Sequence, residues 1–323
     1  MTMTDIPLQP LPQESPRKTS ATTLRLFLVV ICGLFFLGLA NFSPRPKAPP
    51  EVPPKISDAY SKISLSARSA FVLDVKTGKE LFNLNGDAQL PLASLTKIMM
   101  AVRALSLASE SQIITIDPGF LESEGDSGLF ANERWTLKGL IDLTLLESSN
   151  DGANAVASVV GAFGQENAPY DLSREQFVNA MNKKATELGL TQTYFLNPTG
   201  LDENAFVSGA YGSARDMANL FAFALKTYPQ LFGVTRYDSR EFESLSLLKH
   251  NVKNTNTFVG NIPSLLGSKT GYTDLAGGNL VIAFDAGVDR PIVISILGST
   301  EQGRFEDAEK LVWSTLDFLG EAN

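Results

Sequence analysis

The chain holds one cysteine and one histidine in 323 residues, and each scarcity closes off chemistry. Cys32 lies inside an apolar N-terminal stretch, so the rest of the sequence offers no disulfide and no thiol nucleophile. A zinc site built from His and Cys is excluded, and a Ser-His-Asp triad would have to use His250. That residue sits in the polar stretch "LLKHNVKNTN", where a structural or solvated role is expected, so hydrolytic chemistry here calls for another base. Concentrated positive charge is missing too. Lys and Arg number 27 against 35 Asp and Glu, the net charge is −8, and no basic run exceeds two residues. A phosphate-backbone binder needs clustered cations, so nucleic acid is not expected as a partner.

One apolar run stands out. Residues 26–40, "LFLVVICGLFFLGLA", follow Arg17, Lys18 and Arg25. As a helix these residues reach about 22 Å, short of a hydrocarbon core of roughly 30 Å. The run reads either as a signal peptide, with Gly38 and Ala40 before a cut, or as an anchor extended through Phe42. Ile31 stands where a lipoprotein signal needs a small residue before Cys32. The spacer "SPRPKAPPEVPP" follows and is proline-dense, hence extended. The expected organisation is a polar tail over 1–25, a signal or anchor over 26–42, a linker over 43–57 and one catalytic-size domain over 58–323. Export is expected, to the outer face of the cell membrane.

In that domain "SAFVLDV" and "ELFNLN" flank "KTGK", a strand pair closed by a tight turn at Gly78. Helical spacing marks 94–108, 137–147, 151–163, 173–188 and 213–226, the last with Ser213 and Asp216 at capping-box distance. "NLVIAFDAG" and "RPIVISILGS" read as a late hairpin before a terminal amphipathic helix. Strands at both ends with helices between predict an α+β fold, one sheet assembled from the two termini.

Two short motifs recur, and their settings separate the copies. Lys-Thr-Gly occurs in the hairpin turn and again in "GSKTGYTDLAGG"; Ser-x-x-Lys occurs as Ser15–Lys18, Ser94–Lys97 and Ser246–Lys249. Only Ser94 stands at a marked helix start, with Lys97 one turn on and leaning back toward it. A serine hydroxyl needs a base, and a lysine serves only when neutral, which burial and a second nearby cation favour. "LLESSNDGANAV" places Ser148-Ser149-Asn150 between two helices, where such residues either cap or face a cleft. Lys269 could supply the second cation and Thr270 a hydroxyl for a carboxylate.

Taken in order, Ser94-Leu95-Thr96-Lys97, Ser148-Ser149-Asn150 and Lys269-Thr270-Gly271 resemble the triple signature of penicillin-recognising serine enzymes. "PLASLTKIM", "ESSNDGANA", "FLNPTGLD", "GSARDMANL", "NTN" and "RFEDAEKLVW" narrow the resemblance to the low-molecular-mass penicillin-binding proteins, the D-alanyl-D-alanine carboxypeptidases, over about residues 60–320. The resemblance implies an antiparallel sheet flanked by helices plus a mainly helical subdomain, the DD-peptidase/β-lactamase-like fold. It implies Ser94 as the acylated nucleophile, Lys97 as its base, Ser148 as a proton relay and Asn150 as the residue holding Lys97 and the substrate amide. Lys269, Thr270 and Arg304 would take the terminal carboxylate, and the N–H groups of Ser94 and Tyr272, beside Gly271, the oxyanion. The implied partners are peptidoglycan stem peptides, β-lactams as covalent inhibitors, and the membrane through the apolar segment; no cofactor and no metal are implied.

Thr199 stands in "NPTGLD" where relatives often carry histidine. A β-lactamase is a rival, although Thr193 in "TYFLN" occupies the place of its deacylating glutamate. An endopeptidase acting on cross-links is closer in chemistry, because both bond types end in D-alanine. A catalytically silent wall-binding protein would share the fold, but all three motifs are intact.

Overall fold

The computed structural model describes residues 58–121, 128–163 and 169–321. The tail, apolar segment and linker expected over 1–57, with Cys32 and the Ser15–Lys18 pair, lie outside the described residues. No helix among the described residues is long and apolar enough to cross a membrane.

A helical turn, α1 (Asp58–Ser61), precedes β1 (Ser69–Asp74) and β2 (Lys79–Leu84). The short β3 (Leu90–Pro91) leads through a 3-10 turn, Ala93–Leu95, into α2 (Thr96–Leu107). Then come β4 (Ile113–Thr115), β5 (Arg134–Thr136), α3 (Leu137–Glu147), α4 (Asn150–Gly161) and α5 (Tyr170–Glu187). A long loop separates β6 (Tyr194–Phe195) from β7 (Ala210–Gly212), and α6 (Ala214–Thr227) follows. The hairpin β8 (Ser239–Glu243) and β9 (Lys249–Lys253) precedes β10 (Leu265–Thr273), β11 (Gly277–Asp285), β12 (Pro291–Ser299) and α7 (Gly303–Glu321).

The main sheet runs β10-β11-β12-β1-β2, with every neighbouring pair antiparallel. Ala70 lies opposite Ile296, so the two ends of the domain meet in one sheet, as the sequence predicts. Period-two alternation divides the strand residues between two cores. Phe71, Val281, Val293 and Leu297 join the helical core with residues of α2, α3, α4 and α6. Val72, Ile282, Phe284, Ile294 and Ile296 face Leu311 and Val312 of α7. Each side chain so buried stabilises the fold by roughly 1.5–3 kcal/mol relative to exposure. Covered on both faces, the sheet can meet a ligand only along an edge.

Local signals resolve as capping and turn chemistry. In the first Lys-Thr-Gly the N–H groups of Lys76 and Thr77 donate to Asp74 Oδ1, and Gly78 takes a φ of 71°. That copy is a hairpin turn. Ser213 Oγ accepts from Asp216 N at 3.1 Å, but the Asp216 carboxylate accepts from Gln192 N and Thr193 Oγ1 instead of turning back, so only half of the capping box forms. The predicted 173–188 helix begins at Tyr170, and the helix expected from Asp151 begins at Asn150. Ser246 lies between β8 and β9, where its hydroxyl accepts from Arg134 N and Lys249 pairs with Glu241 at the surface. His250 is buried, 2.7 Å from Glu133 Oε1 and against Trp135, which is a structural placement.

Candidate active site

Ser94 is the middle residue of the 3-10 turn that opens into α2. Ala93 before it is fully buried with a φ of 49°, a left-handed conformation that a Cβ disfavours. Thr96 Oγ1 helps to hold it, donating to Ala93 O at 2.7 Å. Two glycines let backbone close in on this turn. A Cβ on Gly200, where φ is 81°, would lie 1.9 Å from Ala93 O; one on Gly271 would lie 3.1 Å from Ser94 N. The cleft is therefore narrow where the Ser94 hydroxyl stands.

Lys97 has no solvent exposure. Its Nζ lies 2.9 Å from Ser94 Oγ, 2.8 Å from Asn150 Oδ1 and 2.8 Å from Thr199 O. The two carbonyl oxygens can only accept. A neutral amine satisfies both with its two N–H groups and is left with a lone pair directed at the Ser94 hydroxyl. Burial favours that state, pushing the Lys97 pKa down to about 7. No carboxylate among the described residues makes an ion pair with Lys97 or Lys269.

The junction of α3 and α4 divides its labour between two serines. Ser149 is the cap, its Oγ accepting from Gly152 N at 2.9 Å. Ser148, at a φ of 69°, ends α3 in the left-handed region and turns its hydroxyl to Lys269, whose Nζ donates to Ser148 Oγ at 2.8 Å. Lys269 is buried and also donates to Thr270 O. Its pKa is driven well below the usual lysine value by burial first, then by the charges of Lys97 and Arg304. Burial thus lowers Lys97, and repulsion between Lys97 and Lys269 acts in the same direction, as the expectation of a second cation requires.

β10 is an edge strand of the main sheet, and the Ala93–Leu95 turn packs beside it. Ser268 N donates off the sheet to Thr235 Oγ1 at 2.9 Å. N–H directions repeat every second residue, so Thr270 and Tyr272 also aim their N–H groups at the open edge. That row is a template for an extended peptide. The Tyr272 ring is half-exposed at the mouth. Arg304, from the first turn of α7, is buried and donates from Nη1 to Gly271 O at 2.8 Å, behind the strand.

The structure thus brings Ser94, Lys97 and Asn150 into direct contact, Ser148 into contact with Lys269, Thr270 and Tyr272 to the open edge, and Arg304 onto Gly271 O. Two contacts were not foreseen from sequence, although Thr199 itself was noted there as a departure. Thr199 enters through its backbone carbonyl, a role open to any residue type, and only the adjacent Gly200 signals the close approach. Thr255, in the "NTN" string, places Oγ1 2.6 Å from Thr270 Oγ1.

Known proteins resemble this chain over the same span. A D-alanyl-D-alanine carboxypeptidase of Bacillus subtilis is 32% identical over 78% of the chain, and a D-alanyl-D-alanine endopeptidase of Pseudomonas aeruginosa is 29% identical over 71%. The chain spans 62% of the length of the first and 71% of the second. The crystal structure of a D-alanyl-D-alanine carboxypeptidase from Mycobacterium tuberculosis aligns with a TM-score of 0.67 at 26% identity, covering 78% of this chain and 92% of that one. Penicillin-binding protein D2 of Listeria monocytogenes in its ampicillin-bound form aligns at 0.66 and 25% identity, covering 78% and 98%. With the family profile described as D-alanyl-D-alanine carboxypeptidase matching residues 56–300, the chain belongs to that peptidase family.

Proposed function

We propose that this chain is a serine-type D-alanyl-D-alanine carboxypeptidase that removes the terminal D-alanine of peptidoglycan stem peptides through an ester on Ser94. The observation that carries the reading is the set of three contacts at Lys97. They leave a neutral amine one orientation, with its lone pair on the Ser94 hydroxyl.

In this reading the substrate lies along the open edge of β10. Its terminal carboxylate meets Lys269, Thr270 and Arg304, and the arriving anion favours the charged form of Lys269. Ser94 Oγ attacks the penultimate carbonyl carbon as its proton passes to Lys97 Nζ. The N–H groups of Ser94 and Tyr272 face the oxyanion, each such donor lowering the barrier by about 3 kcal/mol. The C–N bond breaks as the Lys97 proton passes through Ser148 to the leaving nitrogen, so D-alanine departs and Lys97 is neutral again. Water then attacks the ester carbonyl and gives its proton to Lys97, and the C–Oγ bond breaks as Lys97 returns that proton to Ser94 Oγ. A β-lactam follows the same first step, but its leaving nitrogen stays tethered to the acyl group.

An exported enzyme held near the membrane fits this substrate, with residues 26–42 as signal or anchor, 43–57 as spacer and 58–323 as the catalytic domain. Support comes from where the domain begins. Tyr60 hydrogen-bonds Thr315 and its ring meets Phe318, whereas Arg304 reaches the cleft from the other end of α7. Eleven helical residues separate those points by about 16 Å, so Tyr60, near the start of the described domain, packs at the end of α7 away from Arg304.

Likeness to the Pseudomonas aeruginosa endopeptidase supports a second reading, cleavage of D-alanyl cross-links by the same acyl chemistry. Both readings are tested by supplying a stem pentapeptide and a cross-linked dimer. D-alanine release from the pentapeptide at the higher kcat/KM supports the carboxypeptidase; dimer cleavage alone supports the endopeptidase; neither product removes both.

A further inference from the structure

The loop between β6 and β7 must hold one carbonyl, that of Thr199, 2.8 Å from a buried amine. It has no regular ladder there to do so, and one side chain takes over. Asn197 Oδ1 accepts from Thr199 N at 3.2 Å, Thr199 Oγ1 at 2.9 Å and Gly200 N at 2.7 Å. Its Nδ2 donates to Leu201 O at 2.9 Å and Glu203 Oε1 at 2.6 Å. Thr199 Oγ1 in turn accepts from Leu201 N at 3.0 Å. Every N–H from Thr199 to Leu201 therefore ends on Asn197 or on a hydroxyl that Asn197 holds. Backbone N–H groups only donate and carbonyls only accept, so the carboxamide fits one way round.

The surroundings are shaped to this side chain. A Cβ on Gly209 would lie 2.3 Å from Asn197 Nδ2 and 2.1 Å from Leu201 O. On the opposite side Gly200 rests on Ala93 O with no room for a Cβ. Pro198, between Asn197 and Thr199, fixes its own φ. The loop is thus clamped between the nucleophile turn and a glycine, with one carboxamide at its centre.

We propose that Asn197 is a positioning residue for the general base: it holds the Thr199 carbonyl on Lys97, which aims the amine at Ser94 and keeps water from it. The proposal rests on the reading of Lys97 as base. Asn197 makes no hydrogen bond to Ser94 or Lys97 and acts through Thr199. A structural role alone would lower stability or rate evenly across pH. Positioning predicts a shifted pH profile, because a loosened loop hydrates Lys97 and returns its pKa toward the ordinary 10.5.

The test measures benzylpenicillin acylation of the full-length chain from pH 5 to 10. Asn197→Asp keeps size and acceptor but sets an oxygen against Leu201 O and the Glu203 carboxylate; Asn197→Ala removes the group. Each is expected to acylate on the order of tenfold more slowly at pH 7, with the acidic limb raised by about one unit and the rate recovering at alkaline pH. Thr199→Val, which deletes one partner of Asn197 and the acceptor of Leu201 N but keeps the carboxamide, should shift the limb less in the same direction. An unmoved limb in both Asn197 variants overturns the proposal, and if neither folds, an unmoved limb in Thr199→Val does so. Lys97→Ala separates the two levels. Wild-type acylation there ends the base reading itself, whereas an inactive Lys97→Ala beside unshifted Asn197 variants ends only the positioning role.

Discussion

Acylation of Ser94 should depend on pH through Lys97, and the structure sets the scale. Burial brings the Lys97 pKa from 10.5 to about 7. That displacement corresponds to about 5 kcal/mol between the two protonation states. At pH 7 about half the molecules carry the neutral base, against roughly one in 3,000 for an unperturbed lysine. At pH 5 the neutral fraction falls to about 1%, so acylation should run about 50-fold slower than at pH 7 and level off above about pH 8. Stopped-flow acylation with a fluorescent penicillin reads this directly. The same shift appears in stability. A lysine whose folded pKa lies below its unfolded value leaves the unfolded chain holding the extra proton between about pH 7 and 10.5, so stability rises with pH across that window. Compared with Lys97→Met, the wild type should gain up to about 1.4 kcal/mol per pH unit there. A flat acylation profile from pH 5 to 8, or a limb above pH 9, would refute the reasoning: Lys97 would then be an ordinary lysine and some other group the base.

Three further outcomes follow from the contacts. Lys76→Ala, in the exposed hairpin turn, should leave acylation and D-alanine release unchanged, whereas Lys269→Ala should lower kcat/KM by about 10- to 150-fold, the range for a hydrogen bond to a charged group; equal losses would mean that the wrong copy of Lys-Thr-Gly has been assigned. Thr255→Val removes the hydroxyl 2.6 Å from Thr270 Oγ1 and should raise KM by about fivefold with kcat little changed, as measured with a stem pentapeptide. Gly200→Ala forces a Cβ against Ala93 O and should destabilise the fold by at least about 2 kcal/mol, seen as a lower urea midpoint.

The sheet was legible because its signal is local and periodic. β1, β11 and β12 are short apolar runs, and joining the two ends of the domain follows from strands standing at both ends. Helix starts were legible to within a few residues where Ser or Thr caps them, as at Ser213. They were not where Pro169 stands at the cap without a side-chain bond, which is where the predicted start of α5 missed. In the site, Ser94, Lys97, Ser148, Asn150 and Lys269 could be singled out because they carry chemistry in their type, and the structure places them in contact. Thr199 acts through a backbone carbonyl, and Asn197 through five bonds within its own loop; neither role leaves a type-specific mark. Residue type also could not divide Ser148 from Ser149. Backbone conformation does that, sending one hydroxyl to a helix end and the other to Lys269.

The central claim is that Ser94 is acylated with Lys97 as base, and an intact-mass time course with benzylpenicillin addresses it most directly. The account predicts one long-lived adduct per chain, mapping after digestion to the peptide containing Ser94, and no adduct with Ser94→Ala. An adduct on Ser94→Ala at the same rate would contradict it. So would drug consumption by the wild type without accumulating adduct, which is the behaviour of a β-lactamase.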